Sequence, residues 1–340
     1  IYGMAAGVVI GALSNFGVQL PPVIKKSRYR PVMNFSHPGI REMLRLMVPA
    51  LVGLSISQIN LIISQNIASG LPEGSITALR MANRLMQFPL GVFAMGISTA
   101  IFPAMTRQVA RHEFDEFKRT FSLGMRTVFL ITIPSAAGLV ALRVPIVRLL
   151  FQAGEFGASD TEATAFALLF YSFGLFFQSG IQIATRIYYS LHDTRTPLIV
   201  GLITVLVNTG LSLILLRTTD LGHGALALAF SMTSAINLMV IMAILRAKLG
   251  SVDGVRMLRT VIKAGVASGV MAFSVARLAD RVGMMVNLDR ADGQLIQVGS
   301  ALLAGALIYS ALIWAMRAEE LQYLQGLVRR ALRRREAERN

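Results

Sequence analysis

The chain has 340 residues, 54% of them hydrophobic and 15% charged, with a mean hydropathy of +0.60 and a formal net charge of +15. That is more apolar than the about 45 to 50% of a soluble domain, which excludes an ordinary globular protein and points to a polytopic membrane protein. The absence of Cys removes disulfides and thiolate metal sites, and His37, His112, His192 and His223 each stand alone in loops or at span edges, so no metal and no cofactor is expected.

Nine apolar stretches are long enough to cross a hydrocarbon core of about 30 Å as helices: 1–20, 46–69, 77–104, 122–142, 163–190, 197–216, 223–245, 261–279 and 294–316. Runs this long without strict alternation exclude a barrel, so the expected fold is all-α, a polytopic membrane helix bundle of nine transmembrane helices. The chain enters a span at Ile1 with no initiator Met and no charged leader, and so reads as a fragment or the tail of a longer protein.

Alternate loops carry unequal charge. Lys25 to Arg45, Arg107 to Arg126, Arg195, Arg246 to Lys263 and Arg317 to Arg339 hold 24 of the 33 Lys and Arg, the opposite loops hold six, and Arg80, Arg84 and Arg186 lie within spans. By the positive-inside rule the richer side is cytoplasmic, with Asn340 inside and Ile1 outside. The basicity therefore serves topology, and nucleic acid is not an expected partner.

In chain order, the first span carries Gly3, Gly7 and Gly11, a stripe of small residues that would admit a second helix closely. A basic loop with Pro31 and Pro38 follows. The second span is heavily polar, with Pro49, Ser55, Ser57, Gln58, Asn60, Ser64, Gln65 and Asn66. Such groups either bond across helices or line a wet cavity. The short loop after it makes the third span an antiparallel neighbour, so the two polar faces can meet. Pro89, Pro103 and Pro134 each interrupt a span and free a carbonyl that neighbours or water must satisfy.

Between the fourth and fifth spans, Ser159 with Glu162 reads as a capping box, and before the sixth span Thr196 reads as an N-cap with Pro197 at the first helical position. The sixth and seventh spans hold Asn208, Ser212, Ser231, Thr233 and Asn237, and the eighth holds a second close-packing pair, Gly265 and Gly269. After the ninth, apolar residues from Leu321 to Leu332 recur at helical spacing between five arginines, a basic amphipathic segment suited to an anionic leaflet or, equally, a solvated tail.

All 18 Asp and Glu fall in loops, at span edges or in the tail. A cation exporter working through a buried carboxylate is thereby disfavoured, and with no HExxH, phosphate loop or nucleophile elbow an enzyme is not expected. What remains at membrane depth is positive. Arg84 lies nine residues into a helix starting near Ser75, and Arg80 and Gln87 share its face. A charge near the bilayer centre costs at least about 2.5 to 3.5 kcal/mol, so it should face a cavity or a partner. Without a carboxylate to pair with, the best partner for a guanidinium is an anion such as phosphate or pyrophosphate. The competing reading is that Arg80 snorkels to headgroups and Arg84 bonds a carbonyl of a kinked neighbour; Arg186 reads as a snorkelling anchor.

The runs ANRLMQFPLGVF, STAIFPAMTR, LFQAGEFGASDT and YYSLHDTRTP resemble the MurJ (MviN) lipid II flippases, of the superfamily that also holds the MATE exporters and polysaccharide-lipid flippases. The resemblance implies a fourteen-span protein of which this chain supplies nine. Residues 1–24 would be the last helix of the first lobe, 43–248 a MATE-like second lobe of six helices, 255–316 two extra helices bordering a lipid groove, and 317–340 a basic cytoplasmic tail. The implied partners are an undecaprenyl-pyrophosphate-linked peptidoglycan precursor, membrane lipids and the missing five N-terminal helices, in a bacterial inner membrane.

By the same resemblance Arg84 matches a cavity arginine that engages the pyrophosphate; Arg80, where relatives tend to have Asn or Tyr, would be an added anion contact, and from the residues themselves Asn83, Gln87, Asn60 and Gln58 join them as substrate-binding candidates. Gln87 stands where some relatives have Glu. Ser64 and Ser212 replace the Asp residues of a sodium site of which Asn208 is retained, leaving at most a degenerate cation site. The expected function is translocation of lipid II by alternating access. The alternatives are a flippase for another polyprenyl-linked saccharide and a truncated, non-transporting membrane scaffold.

Overall fold

The computed structural model describes residues 3, 7, 9–17, 20, 40 and 58–316, and the chain divides into two compact units, Ile1–Leu54 and Ser55–Asn340. In the first unit, residues 9–17 form helix α1, with Gly3 and Gly7 also helical. The loop with Pro31 and Pro38, the start of the second span and the tail 317–340 lie outside the described residues.

The second unit opens with α2 (58–68), the end of the second expected span. A tight turn leads to α3 (Ser75–Pro89), a π-helical segment (Leu90–Ala94) and α4 (Met95–Ala110), which together make one span. Then come α5 (Phe114–Ala141), the short α6 (Arg143–Phe151), α7 (Ala158–Ser190), α8 (Arg195–Thr218), α9 (His223–Leu249), α10 (Gly254–Met285) and α11 (Ala291–Ala315). Among the described residues seven helices are long and apolar enough to cross a membrane, and in order they are the third to ninth expected spans. Nine are not counted here, because the first two expected spans fall largely outside the described residues. The helices run past the apolar windows: α5 begins at Phe114 instead of 122, and α10 at Gly254 instead of 261.

Helix α7 is the hub, packing on α3, α4, α5, α6 and α9. Leu168, Leu175, Ile183, Ile187 and Tyr188 are fully buried along it, and the Tyr188 hydroxyl donates to the Ile241 carbonyl of α9 at 2.7 Å. The close approach of α7 and α9 needs Gly174, where a Cβ would lie 2.7 Å from Ser231 Oγ and 3.2 Å from its Cα. The sequence singled out the wrong glycines in this respect: at Gly265 and Gly269 a Cβ would meet nothing within 4 Å, so that pair admits no neighbour among the described residues. Helices α10 and α11 pack on each other and α10 on α5, burying Ala264, Ala267, Met271 and Val275. Large apolar side chains such as Leu206, Phe273, Leu303 and Leu307 are exposed, as expected where the surrounding solvent is hydrocarbon.

Pro89, Pro103 and Pro134 sit inside helices, as expected. Pro134 cannot donate to the carbonyl of Leu130, four residues back, and that carbonyl instead accepts from the Tyr309 hydroxyl of α11 at 2.6 Å. Two caps differ from expectation. Helix α7 starts two residues early: Gly157 is its N-cap, and the Gly157 N–H donates to Asp160 Oδ2 at 2.9 Å, so neither Ser159 nor Glu162 caps it. Before α8, Asp193 is the capping side chain, accepting the Thr196 N–H at 3.0 Å and the Thr196 hydroxyl at 2.6 Å. Thr196 is thus a donor in the first turn, and Pro197 falls at its third position.

Candidate functional site

Helix α3 is amphipathic in a way its sequence spells out. Ala78, Leu79, Ala82, Leu85 and Met86 are buried on one face, while Arg80, Asn83, Arg84 and Gln87 occupy the other at spacings of three and four. The helix starts at Ser75, so Arg84 sits about 14 Å along it at 1.5 Å per residue. The polar face lines a cavity of about 530 Å³ enclosed by α2, α3, α7, α8 and α9. From α2 come Asn60, Ser64 and Gln65, the polar stripe expected to meet it, and the far side holds Tyr171, Gln178, Thr204, Asn208 and Asn237.

Of the predicted residues, Arg80, Arg84, Asn83, Gln87, Asn60, Ser64 and Asn208 come together around this one cavity. Gln58 is exposed and is not part of its lining, and Ser212 is buried one turn beyond Asn208 without reaching it. Asn208 is itself buried, its amide 3.5 Å from Thr233 Oγ1. Arg80 and Arg84 are exposed to the cavity, and among the described residues neither has an ion-pair or hydrogen-bond partner. Among the described residues no Asp or Glu lines the cavity. Its electrostatics are those of two unneutralised guanidinium groups at membrane depth, one turn apart. Arg186 belongs elsewhere: its guanidinium lies over the Phe102 ring of α4, 5.8 Å from the centroid.

A second cavity, a groove of about 840 Å³, runs between α3, α5, α6, α10 and α11. Its walls are almost wholly apolar, with Phe88, Leu139, Leu149, Met271, Leu302 and Tyr309 among them. Among the described residues Arg84 is the one cation that lines it, and Arg84 also lines the polar cavity. Among the described residues this one side chain therefore stands at the junction of the polar cavity and a long apolar slot.

A family model described as "Lipid II flippase MurJ" matches residues 1–285. The chain belongs to the MurJ family. It is 40% identical over 237 residues to the "Probable lipid II flippase MurJ" of Vibrio cholerae, covering 69% of this chain and 45% of that protein. A solved structure described as "Lipid II flippase MurJ, inward closed conformation" superposes with a TM-score of 0.68 at 25% identity, covering 87% of this chain and 59% of the other. An outward-facing multidrug-resistance MATE family transporter of the MOP superfamily shares the fold, with a TM-score of 0.50 at 14% identity over 82% of this chain and 66% of that one. The chain spans about half the length of the curated MurJ relatives it matches.

For a MurJ-family chain, sequence reasoning found the α3 face and missed two things. Gln178 and Tyr171 of α7 line the polar cavity, and the signal for Gln178 was present: an amide in the middle of an apolar run, FFQSG. The walls of the apolar groove carried no such signal.

Proposed function

We propose that this chain forms the second lobe and groove of a flippase that moves a polyprenyl-pyrophosphate-linked peptidoglycan precursor, lipid II, across the bacterial inner membrane. The observation that carries the reading is the place of Arg84, which borders both the polar cavity and the apolar groove. A lipid-linked saccharide has the same division: a polar head, an anionic linkage and an isoprenoid tail. With the pyrophosphate held by the Arg84 guanidinium through paired, charge-assisted hydrogen bonds, the head lies in the cavity and the tail in the groove. Arg80, one turn away, supplies a second positive charge to the same anion.

Alternating access moves the head without dragging the tail through the polar chamber, because the groove runs beside the cavity and not through it. The polar cavity, being lined by neutral groups apart from the arginines, offers the head hydrogen bonds without trapping it by charge. Ser64 and Ser212 carry no charge, so a cation at that place would face two arginines uncompensated; Ser64 serves the reading better as part of the polar wall, and Ser212 lies behind it. The charge asymmetry of the loops supports a cytoplasmic C-terminus.

The test is complementation of a flippase-depleted strain, read together with leaflet-resolved accessibility of lipid II. Arg84→Ala is expected to abolish both, and Arg84→Lys to retain at most part, because an ammonium cannot make the two-pronged contact. Full activity of Arg84→Ala would sink the reading and leave the arginine structural, as in a non-transporting scaffold. Retained translocation of a different polyprenyl-linked saccharide, with lipid II unmoved, would reassign the substrate.

A further inference from the structure

Helix α10 carries its charges at two levels. Arg256, Arg259 and Lys263 lie toward its start, Arg277, Asp280 and Arg281 toward its end, and the 13 residues from Ala264 to Ala276 between them are uncharged. Lys263 has a partner, since its ammonium donates to the Met316 carbonyl at the end of α11 at 2.9 Å. The far arginines do not. With the C-terminus cytoplasmic, Arg277 and Arg281 also belong to the side whose loops hold six of the 33 basic residues, so topology gives no reason for them.

Their depth makes a second demand. Lys263 and Arg277 are about 21 Å apart along the helix at 1.5 Å per residue, less than a hydrocarbon core of about 30 Å. An arginine in such a place ordinarily snorkels, turning its head outward to water. Arg277 does the reverse: its guanidinium lies over the Phe273 ring, one turn nearer the middle of the helix, 5.1 Å from the centroid. Phe273 is 65% exposed and Arg277 and Arg281 are exposed with it, so the charges stand on an uncovered face of α10. Asp280 is spaced for an ion pair with Arg277, yet among the described residues neither arginine has a carboxylate or a hydrogen-bond acceptor. A cation turned inward on a lipid-facing surface is costly without a counter-charge. Here the counter-charge has to come from the lipid.

The same face has room for the rest of such a molecule. Gly265, Gly269, Phe273, Arg277 and Arg281 follow at four-residue intervals and all are exposed, so they make one stripe. A Cβ at either glycine would meet nothing within 4 Å, which leaves a shallow furrow running from the arginines toward the helix middle, beside the exposed Val266 and Val270. The stripe faces away from the apolar groove. Met271 and Val275, which line that groove, stand two residues before Phe273 and Arg277, about 200° round the helix.

We infer that Phe273, Arg277 and Arg281 form a seat for an anionic phospholipid of the outer leaflet, its phosphate held by the two guanidinium groups and an acyl chain laid in the furrow over Gly269 and Gly265. Charge complementarity selects the occupant. Arginines one turn apart suit a phosphate, and the apolar stripe below them suits hydrocarbon. A partner helix would have to bring a carboxylate to a lipid-facing depth to meet Arg277, and a soluble anion would leave the furrow empty. This lipid is separate from the one transported, because the body of α10 stands between the seat and the groove. It backs the wall that Met271 and Val275 present to the groove.

The experiment follows spin-labelled lipids around the full chain in oriented proteoliposomes, with the label confined to one leaflet at a time. In the leaflet at the Met285 end, phosphatidylglycerol is expected to be preferred over phosphatidylcholine. Arg277→Gln and Arg281→Gln should each lower that preference about fivefold, the weight of one arginine near a membrane surface, and leave the opposite leaflet unchanged. Arg277→Lys keeps the charge and should keep most of the preference. Both arginines are exposed, so neither Gln variant disturbs the core. Gly269→Leu fills the furrow and should loosen both labelled lipids alike while keeping their ratio. An unchanged preference in the double Gln variant, an equal fall in both leaflets, or no effect of Gly269→Leu overturns the proposal. Displacement of the phosphatidylglycerol label by equimolar undecaprenyl pyrophosphate also overturns it, and would hand the arginines to the transported lipid.

Discussion

The Tyr309 hydroxyl donates to the Leu130 carbonyl at 2.6 Å, the acceptor that Pro134 leaves without its helical N–H. The carbonyl freed in α5 is thus tied to α11, and the bond lies at the edge of the apolar groove, which both Leu130 and Tyr309 line. Removing the donor leaves a buried carbonyl unfilled, a loss of about 1 to 3 kcal/mol. Tyr309→Phe is expected to lower unfolding stability by that order in a detergent-denaturation titration. In a Pro134→Ala background the residue at 134 regains an N–H for Leu130, and the same substitution should then cost little. Equal costs in both backgrounds would show that the proline is irrelevant to the bond.

Gly138 lines the groove, and a Cβ added there would meet nothing within 4 Å. Gly138→Leu therefore starts into open space at its Cβ and directs a larger side chain into the slot. If the groove holds the isoprenoid tail, translocation of lipid II in proteoliposomes should fall about tenfold or more with melting temperature unchanged, in line with about 1.4 kcal/mol of lost tail contact. Wild-type transport by a well-folded variant would remove the tail from this groove.

Gly174 allows α9 to approach α7, and a Cβ there would clash with the Ser231 hydroxyl at 2.7 Å and crowd its Cα at 3.2 Å. Overpacking of this kind costs about 1 to 3 kcal/mol. Gly174→Val should lower thermal stability, whereas Gly265→Ala and Gly269→Ala should be neutral or slightly stabilising because α10 has open space at both. Thermal aggregation midpoints of the three variants decide it.

Outside the spans, burial pushes the Asp193 carboxyl up, but hydrogen bonds from Lys248 and Thr196 outweigh it and hold the pKa at about 2, from an ordinary 3.8. The folded protein binds that proton less readily than the unfolded chain, so the contribution is complete above about pH 4 and is lost as pH falls through about 2. With the Lys248 side chain 45% exposed, screening reduces its worth to about 1 kcal/mol or less. Asp193→Asn should flatten the acid limb of the stability curve over that window and leave the neutral region lower by a similar amount.

The seven spans were legible because hydropathy over a helix length leaves few alternatives, and the α3 face was legible because charges at i and i+4 in an apolar run must share a side. Helix α6 was not, since nine residues with Arg143 and Arg148 read as loop. The caps went astray where several capping residues crowd a few positions: the reach of Asp160 back to Gly157 decides the start of α7, and spacing alone cannot rank it against Ser159 and Glu162. The groove was illegible for a different reason. A leucine facing an internal slot and a leucine facing lipid obey the same pattern, so only packing separates Leu139 from Leu206.

The π-helical segment after Pro89 has a geometric effect on the whole span. A π turn takes in one residue more than an α turn, so everything after Ala94 is rotated by about 100° from where an unbroken α-helix would carry it. The upper half, with Arg84, keeps its phase toward the cavity against α7. The lower half is rephased so that Ile101 nests over Gly124 of α5 and Met105 is fully enclosed. One continuous rod thereby answers to two different surfaces, and removing a single residue between Leu90 and Ala94 would set those two demands against each other.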